Sequence, residues 1–197
     1  MSRQFTFNLE GRTALVTGAS SGIGRRFAGL LARSGARVIV AARRAALLED
    51  LCEEIRTSGG EAYAVTMDVA DEASTIAAYD VAETVFGPID TVVANAGISP
   101  AGSALGLSVE DFDLTMDVNL RGTFLTAREG ARRMIAHGSA ETGAGRIVLI
   151  GSVTGQHPFP GIVPYGAAKA AVAQMGRLLA KDWAGKGINV NTLAPGY

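Results

Sequence analysis

With 197 residues, 20.3 kDa and 48% hydrophobic side chains, the chain has the material for one domain with a sizeable core. Eighteen basic against nineteen acidic residues leave a formal net charge of −1, which excludes the overall basic field that nucleic acid or an anionic membrane would require. No apolar run reaches the ~18 residues of a membrane span, and the single Cys52 allows no internal disulfide, so a cytoplasmic protein without a membrane partner is expected.

Short runs rich in β-branched residues alternate with stretches of helical spacing. Strands are expected at Thr13–Thr17, Arg37–Ala41, Ala62–Met67, Thr91–Ala94, Arg146–Ile150 and Ile188–Leu193. Helices are expected between them at Gly22–Ser34, Ala45–Ser58, Glu72–Phe86, Ser108–His137 and Tyr165–Ala184, the fourth capped by Ser108 and long enough to hide a break near Gly122. Strands such as Val38-Ile39-Val40-Ala41 are apolar without alternation, as strands covered on both faces must be. The pattern predicts an α/β fold: one domain, residues 1–197, built on a six-stranded, parallel, doubly wound sheet.

In such sheets ligands bind beyond the carboxyl ends of the strands. The first strand runs into Thr17-Gly18-Ala19-Ser20-Ser21-Gly22-Ile23-Gly24 and then into a helix. Glycines there let backbone N–H groups approach a pyrophosphate, and the helix directs its positive end at the anion. Gly18, Ser20, Ser21, Gly22, Ile23 and Gly24 are therefore candidate dinucleotide-binding residues. The second strand ends in Ala41-Ala42-Arg43-Arg44, without the acidic residue that would take a ribose 2′-hydroxyl. Arg43 suits a 2′-phosphate instead, so NADP(H) is the expected cofactor and NAD(H) the alternative. Asp68-Val69 and Asn95-Ala96-Gly97 follow the third and fourth strands.

Tyr165 and Lys169, four apart in a helical stretch, share one face. Ser152 stands at the carboxyl end of the fifth strand, and Asn119 is a polar residue within an apolar helical stretch. An ammonium about 4 Å from a phenolate, at an effective dielectric of ~20, is worth on the order of 4 kcal/mol, enough for a tyrosine to exchange protons near neutral pH. Neither His137 nor His157 has a ligand-spaced partner, so no metal is expected. His157 is a candidate to face substrate, His137 a solvated residue, and Trp183 a core or interface residue.

The glycine turn, Asn95-Ala96-Gly97, Asn119, Ser152, Tyr165-x-x-x-Lys169 and Pro195-Gly196 together resemble the short-chain dehydrogenase/reductase family in order and spacing, across essentially the whole chain. Ala94 departs from the second Asn that many members carry there. The resemblance implies a Rossmann fold and hydride transfer between a nicotinamide and a small carbonyl or alcohol substrate. Tyr165 would be the general acid or base and Lys169 would support it and hold the nicotinamide ribose. Ser152 would donate to the substrate oxygen, and Asn119 would position a water linking Lys169 to solvent. Asp68 and Val69 would take the adenine, Asn95-Ala96-Gly97 would line the ribose, and Pro195-Gly196 would complete the cofactor site. Within the family the sequence looks most like 3-oxoacyl-thioester reductases and sugar-acid or polyol dehydrogenases, and since the family pairs the helices at Ser108–His137 and Tyr165–Ala184 across a twofold axis, a homodimer or homotetramer is expected. The alternative is a non-catalytic NAD(P)-binding sensor or scaffold, which would be expected to have lost Ser152, Tyr165 or Lys169. Family members continue beyond Pro195-Gly196 into a substrate lid, a seventh strand and a tail, so the expectation is that these residues belong to a longer chain, heavier than 20.3 kDa.

Overall fold

A computed structural model describes residues 7–196. Six parallel strands form one sheet in the order β3-β2-β1-β4-β5-β6, with β1 Thr13–Thr17, β2 Arg37–Ala42, β3 Glu61–Thr66, β4 Thr91–Ala94, β5 Gly145–Ile150 and β6 Ile188–Leu193. Helices α1 Gly22–Arg33 and α2 Ala45–Thr57 cover one face. The other is covered by α3 Glu72–Phe86, α5 Gly122–Ala136 and α7 Val163–Trp183. This is the doubly wound α/β fold that the alternation predicts.

The inner strands feed two cores, whereas β6 buries only Ile188 and Val190 on one face. Ala14 and Val16 of β1 pack with Ala28, Leu48, Leu51 and Ile55, whereas Leu15 between them packs with Tyr79, Ala127 and Val172. The period of two is intact, but both phases are apolar because both faces are buried. Cys52 lies in the first of these cores, and burial pushes its thiol up to about 11, which makes it an inert packing residue.

The expected helix Ser108–His137 is broken just before Gly122, where a break is expected. It begins as α4 Val109–Met116, with the Ser108 hydroxyl accepting from the Asp111 amide as expected, widens into a π-helical turn over Asp117–Arg121, and resumes as α5. A short helix, α6 Ser139–Thr142, follows between two left-handed glycines, Gly138 and Gly143. Among the described residues no helix is long and apolar enough to cross a membrane.

Candidate active site

Strand order reverses between β1 and β4, so the connections leaving their carboxyl ends diverge and leave a crevice. A cavity of about 530 Å³ opens there. Gly18, Ser20, Ser21, Ile23, Arg43, Asp68, Val69, Asn95, Ala96 and Gly97 of the sequence-predicted cofactor residues line it, with Ala42, Arg44 and Ile98. Gly22 instead faces a neighbouring groove between α1 and α2, and Gly24 is buried behind the turn.

The crevice suits an anion. The Ser21 side chain makes no capping bond to α1, and no acidic residue stands in its first turn. By contrast, Asp71 caps α3 and Ser108 caps α4 through side-chain oxygens. The first N–H groups of α1 are thus left available at the positive end of the helix. Gly18 adopts φ +67°, a left-handed conformation that favours glycine, and a Cβ there would come within 2.9 Å of Asn95 Nδ2. At Gly24 a Cβ would lie 2.4 Å from Asn95 Nδ2 and 2.5 Å from the Gly18 carbonyl oxygen. Gly24→Ala is therefore expected to lower stability by about 1–3 kcal/mol through overpacking and to weaken NADPH binding at least tenfold, as read by urea unfolding and NADPH fluorescence titration.

Thr17 is a residue the sequence reading passed over except as the start of the turn. Its Oγ1 accepts from the amides of Asn95 and Ala96 at 3.0 and 3.1 Å, while Asn95 Nδ2 donates to the Thr17 carbonyl at 2.9 Å. These bonds lock the end of β4 onto the glycine turn. At the β2 end, Arg43 is 64% exposed with Nη1 4.0 Å from Asp68 Oδ2. Arg44 donates to Ser20 Oγ and Ser21 Oγ, each at 2.8 Å. The sequence reading singled out Arg43; the structure adds Arg44 to the same cationic rim.

The expected catalytic side chains stand beside the crevice, where α7 meets β5 and where Asn119 and Lys169 border Gly97 of its lining. The Lys169 ammonium is buried, donates to the Ile150 carbonyl at 2.7 Å and lies 5.6 Å from the centre of the Tyr165 ring. Burial lowers its pKa to about 8. Ile150 is two residues before Ser152, so this bond ties α7 to the end of β5 beside Ser152. The turn after Ser152, Val153–Gly155, rests directly on α7: a Cβ at Gly155 would lie 2.8 Å from the Ala170 nitrogen and 2.9 Å from the Lys169 carbonyl carbon. Tyr165 is half-buried one turn before Lys169.

Asn119 is fully buried in the π-turn and makes a paired bond with Ile98: its Nδ2 donates to the Ile98 carbonyl at 2.7 Å and its Oδ1 accepts from the Ile98 amide at 2.8 Å. A Cβ on Gly97 would lie 3.1 Å from Asn119 Oδ1 and 3.6 Å from Lys169 Nζ, so both groups border the same glycine. Pro195 and Gly196 also reach the site, as the Val153 amide donates to the Pro195 carbonyl at 3.0 Å. His157 is exposed beyond the same turn, and His137 stands away from the site, 3.0 Å from Glu83. Among the described residues no group of three His, Cys, Asp or Glu side chains could hold a metal ion.

The chain belongs to the short chain dehydrogenase family of nicotinamide-dependent oxidoreductases, whose profile matches residues 12–197. It is 38% identical over 195 residues to the D-threitol dehydrogenase of Mycolicibacterium smegmatis, covering 99% of this chain and 73% of that one. It is 39% identical over 197 residues to the gluconate 5-dehydrogenase of Gluconobacter oxydans, covering 100% and 75%. The crystal structure of a short-chain type dehydrogenase/reductase from Mycobacterium marinum superposes with a TM-score of 0.92 at 36% identity, covering 98% of this chain and 77% of that one.

Proposed function

We propose that the protein is an NADP(H)-preferring dehydrogenase that interconverts a secondary alcohol and a carbonyl on a polyol or sugar acid. The observation that carries this reading is the gathering of Ser152, Tyr165 and Lys169 where the β5 end rests on α7, beside a crevice suited to a dinucleotide. The names of the two dehydrogenases above supply the substrate class.

A bound nicotinamide supplies or takes up the hydride. In the reducing direction Tyr165 gives its phenolic proton to the substrate oxygen while Ser152 donates a hydrogen bond to the same oxygen. Lys169 spends one N–H on Ile150, which aims the ammonium and leaves two for the cofactor ribose and the phenolate. The ammonium lies 5.6 Å from the centre of the Tyr165 ring, where its charge favours the phenolate form. Asn119 keeps one N–H and one lone pair beyond its bonds to Ile98, room for a water that returns a proton from solvent.

The NADP(H) preference rests on Arg43 and Arg44 at the end of β2 and on Ala42, which offers no carboxylate. Charge-assisted bonds to a 2′-phosphate are worth about 1.5–3 kcal/mol each. Ala42→Asp combined with Arg43→Ala is expected to shift the NADPH/NADH ratio of kcat/KM at least tenfold toward NADH; a wild type that prefers NADH contradicts the assignment. The outward apolar side chains Phe124 on α5 and Leu178 on α7 suit pairing of two copies through these helices, and the inert Cys52 suits a cytoplasmic setting. A panel of D-gluconate, D-threitol and 3-oxoacyl thioesters, followed at the nicotinamide absorbance, tests the substrate class: turnover confined to the thioesters would contradict it.

A further inference from the structure

Ser152 Oγ accepts from the Thr154 amide at 3.2 Å and stands 2.9 Å from the Thr154 hydroxyl, a pair in which either hydroxyl can donate. A serine hydroxyl offers two lone pairs and one hydrogen. When the Thr154 hydroxyl is the donor of that pair, both lone pairs of Ser152 are occupied and its hydrogen is left for another acceptor.

Thr154 is itself held in place. A Cβ on Gly166, the residue after Tyr165, would lie only 3.4 Å from the Thr154 carbonyl oxygen, and Gly155 packs against the backbone of Lys169 and Ala170. The turn therefore sets Thr154 against the stretch of α7 that carries Tyr165 and Lys169. A valine would fill the same volume without the donor.

We propose that Thr154 is a positioning residue: its hydroxyl donates to Ser152 Oγ and so commits the Ser152 hydrogen to the substrate oxygen. The proposal rests on the reading above that Ser152 donates to that oxygen. A hydroxyl that accepts a bond is polarised and becomes a better donor, and this bond gains most when the substrate oxygen carries developing charge. Loss of the Thr154 hydroxyl should then act on kcat more than on KM.

The test uses D-gluconate or D-threitol, whichever is turned over faster, with NADP⁺. Thr154→Val is expected to lower kcat about three- to tenfold, the worth of one hydrogen bond, with KM and the NADPH dissociation constant changed less than twofold. Thr154→Ser should restore kcat to within twofold of wild type. In a Ser152→Ala background, Thr154→Val should cost nothing further. Should Thr154→Val fail to fold, judged by its urea midpoint, Thr154→Ala takes its place in both backgrounds. Wild-type kcat in the Thr154 variant, or an equal loss with and without Ser152, overturns the proposal. Wild-type kcat in Ser152→Ala, or no turnover of either probe, overturns instead the reading on which it rests.

Discussion

Tyr165→Phe is expected to lower kcat at least a hundredfold while the NADPH dissociation constant changes less than twofold. The substitution removes the exchangeable proton and almost no volume, and general acid–base catalysis is worth about 10²–10⁴ in rate. Tyr165 is half-buried at the start of α7, outside the buried positions of that helix, Pro164, Ala168, Lys169, Val172, Gly176 and Leu179. The fold should not register the change. Retention of a tenth or more of wild-type turnover, a barrier rise below about 1.4 kcal/mol, would show that another group handles the proton.

Lys169→Met should also abolish turnover, by at least a hundredfold, but it differs from Tyr165→Phe in weakening NADPH binding and in altering stability with pH. Burial lowers the Lys169 pKa to about 8 from 10.5 in an unfolded chain. Below pH 8 the side chain is charged in both states, and the folded protein carries the whole penalty, about 3 kcal/mol. Between pH 8 and 10.5 the unfolded chain holds a proton that the folded one has released, so stability rises with pH by about 1.4 kcal/mol per unit. Methionine escapes the penalty but leaves the Ile150 carbonyl without its partner, at a cost of about 1–2 kcal/mol. The variant is therefore expected to be more stable than wild type at pH 7 by about 1–2 kcal/mol, and the gap should close by about pH 9.5. Urea midpoints of both proteins at pH 7, 8.5 and 9.5 check this, because other titrating groups cancel in the difference. A stability difference independent of pH would mean that Lys169 is not buried as a charge.

Much of the fold is legible because its signals are local. Thr13–Thr17, Thr91–Ala94, Ile188–Leu193 and Glu72–Phe86 stand where β-branched runs and helical spacing place them. The break before α5 was not readable in its form. Helical spacing runs through 117–121 without interruption, and the π-turn coincides with the paired bond between Asn119 and Ile98, a contact across 21 positions of sequence. Helix α6 has four residues, too few to carry a period. Gly18, Ser20, Asp68 and Asn95 share one cavity because glycine spacing and strand ends, both sequence features, set its lining. What sequence could not supply is the polar wiring between segments: Thr17 holding Asn95, Arg44 reaching Ser20 and Ser21, Lys169 bonded to Ile150, and Thr154 bonded to Ser152. Only the Thr154 bond lies within a few residues, and Ser-x-Thr is too common a pattern to have marked it.

The central claim is direct hydride transfer at a crevice served by Tyr165, and isotope transfer tests it most closely. D-Gluconate or D-threitol deuterated at every carbon is incubated with NADP⁺ and the wild-type protein, and the reduced cofactor is weighed by mass spectrometry. The expected product is NADPH one mass unit heavier than unlabelled NADPH, formed at least a hundredfold more slowly by Tyr165→Phe. Reduced cofactor carrying no deuterium, or the same labelling rate from the Tyr165 variant, would contradict it.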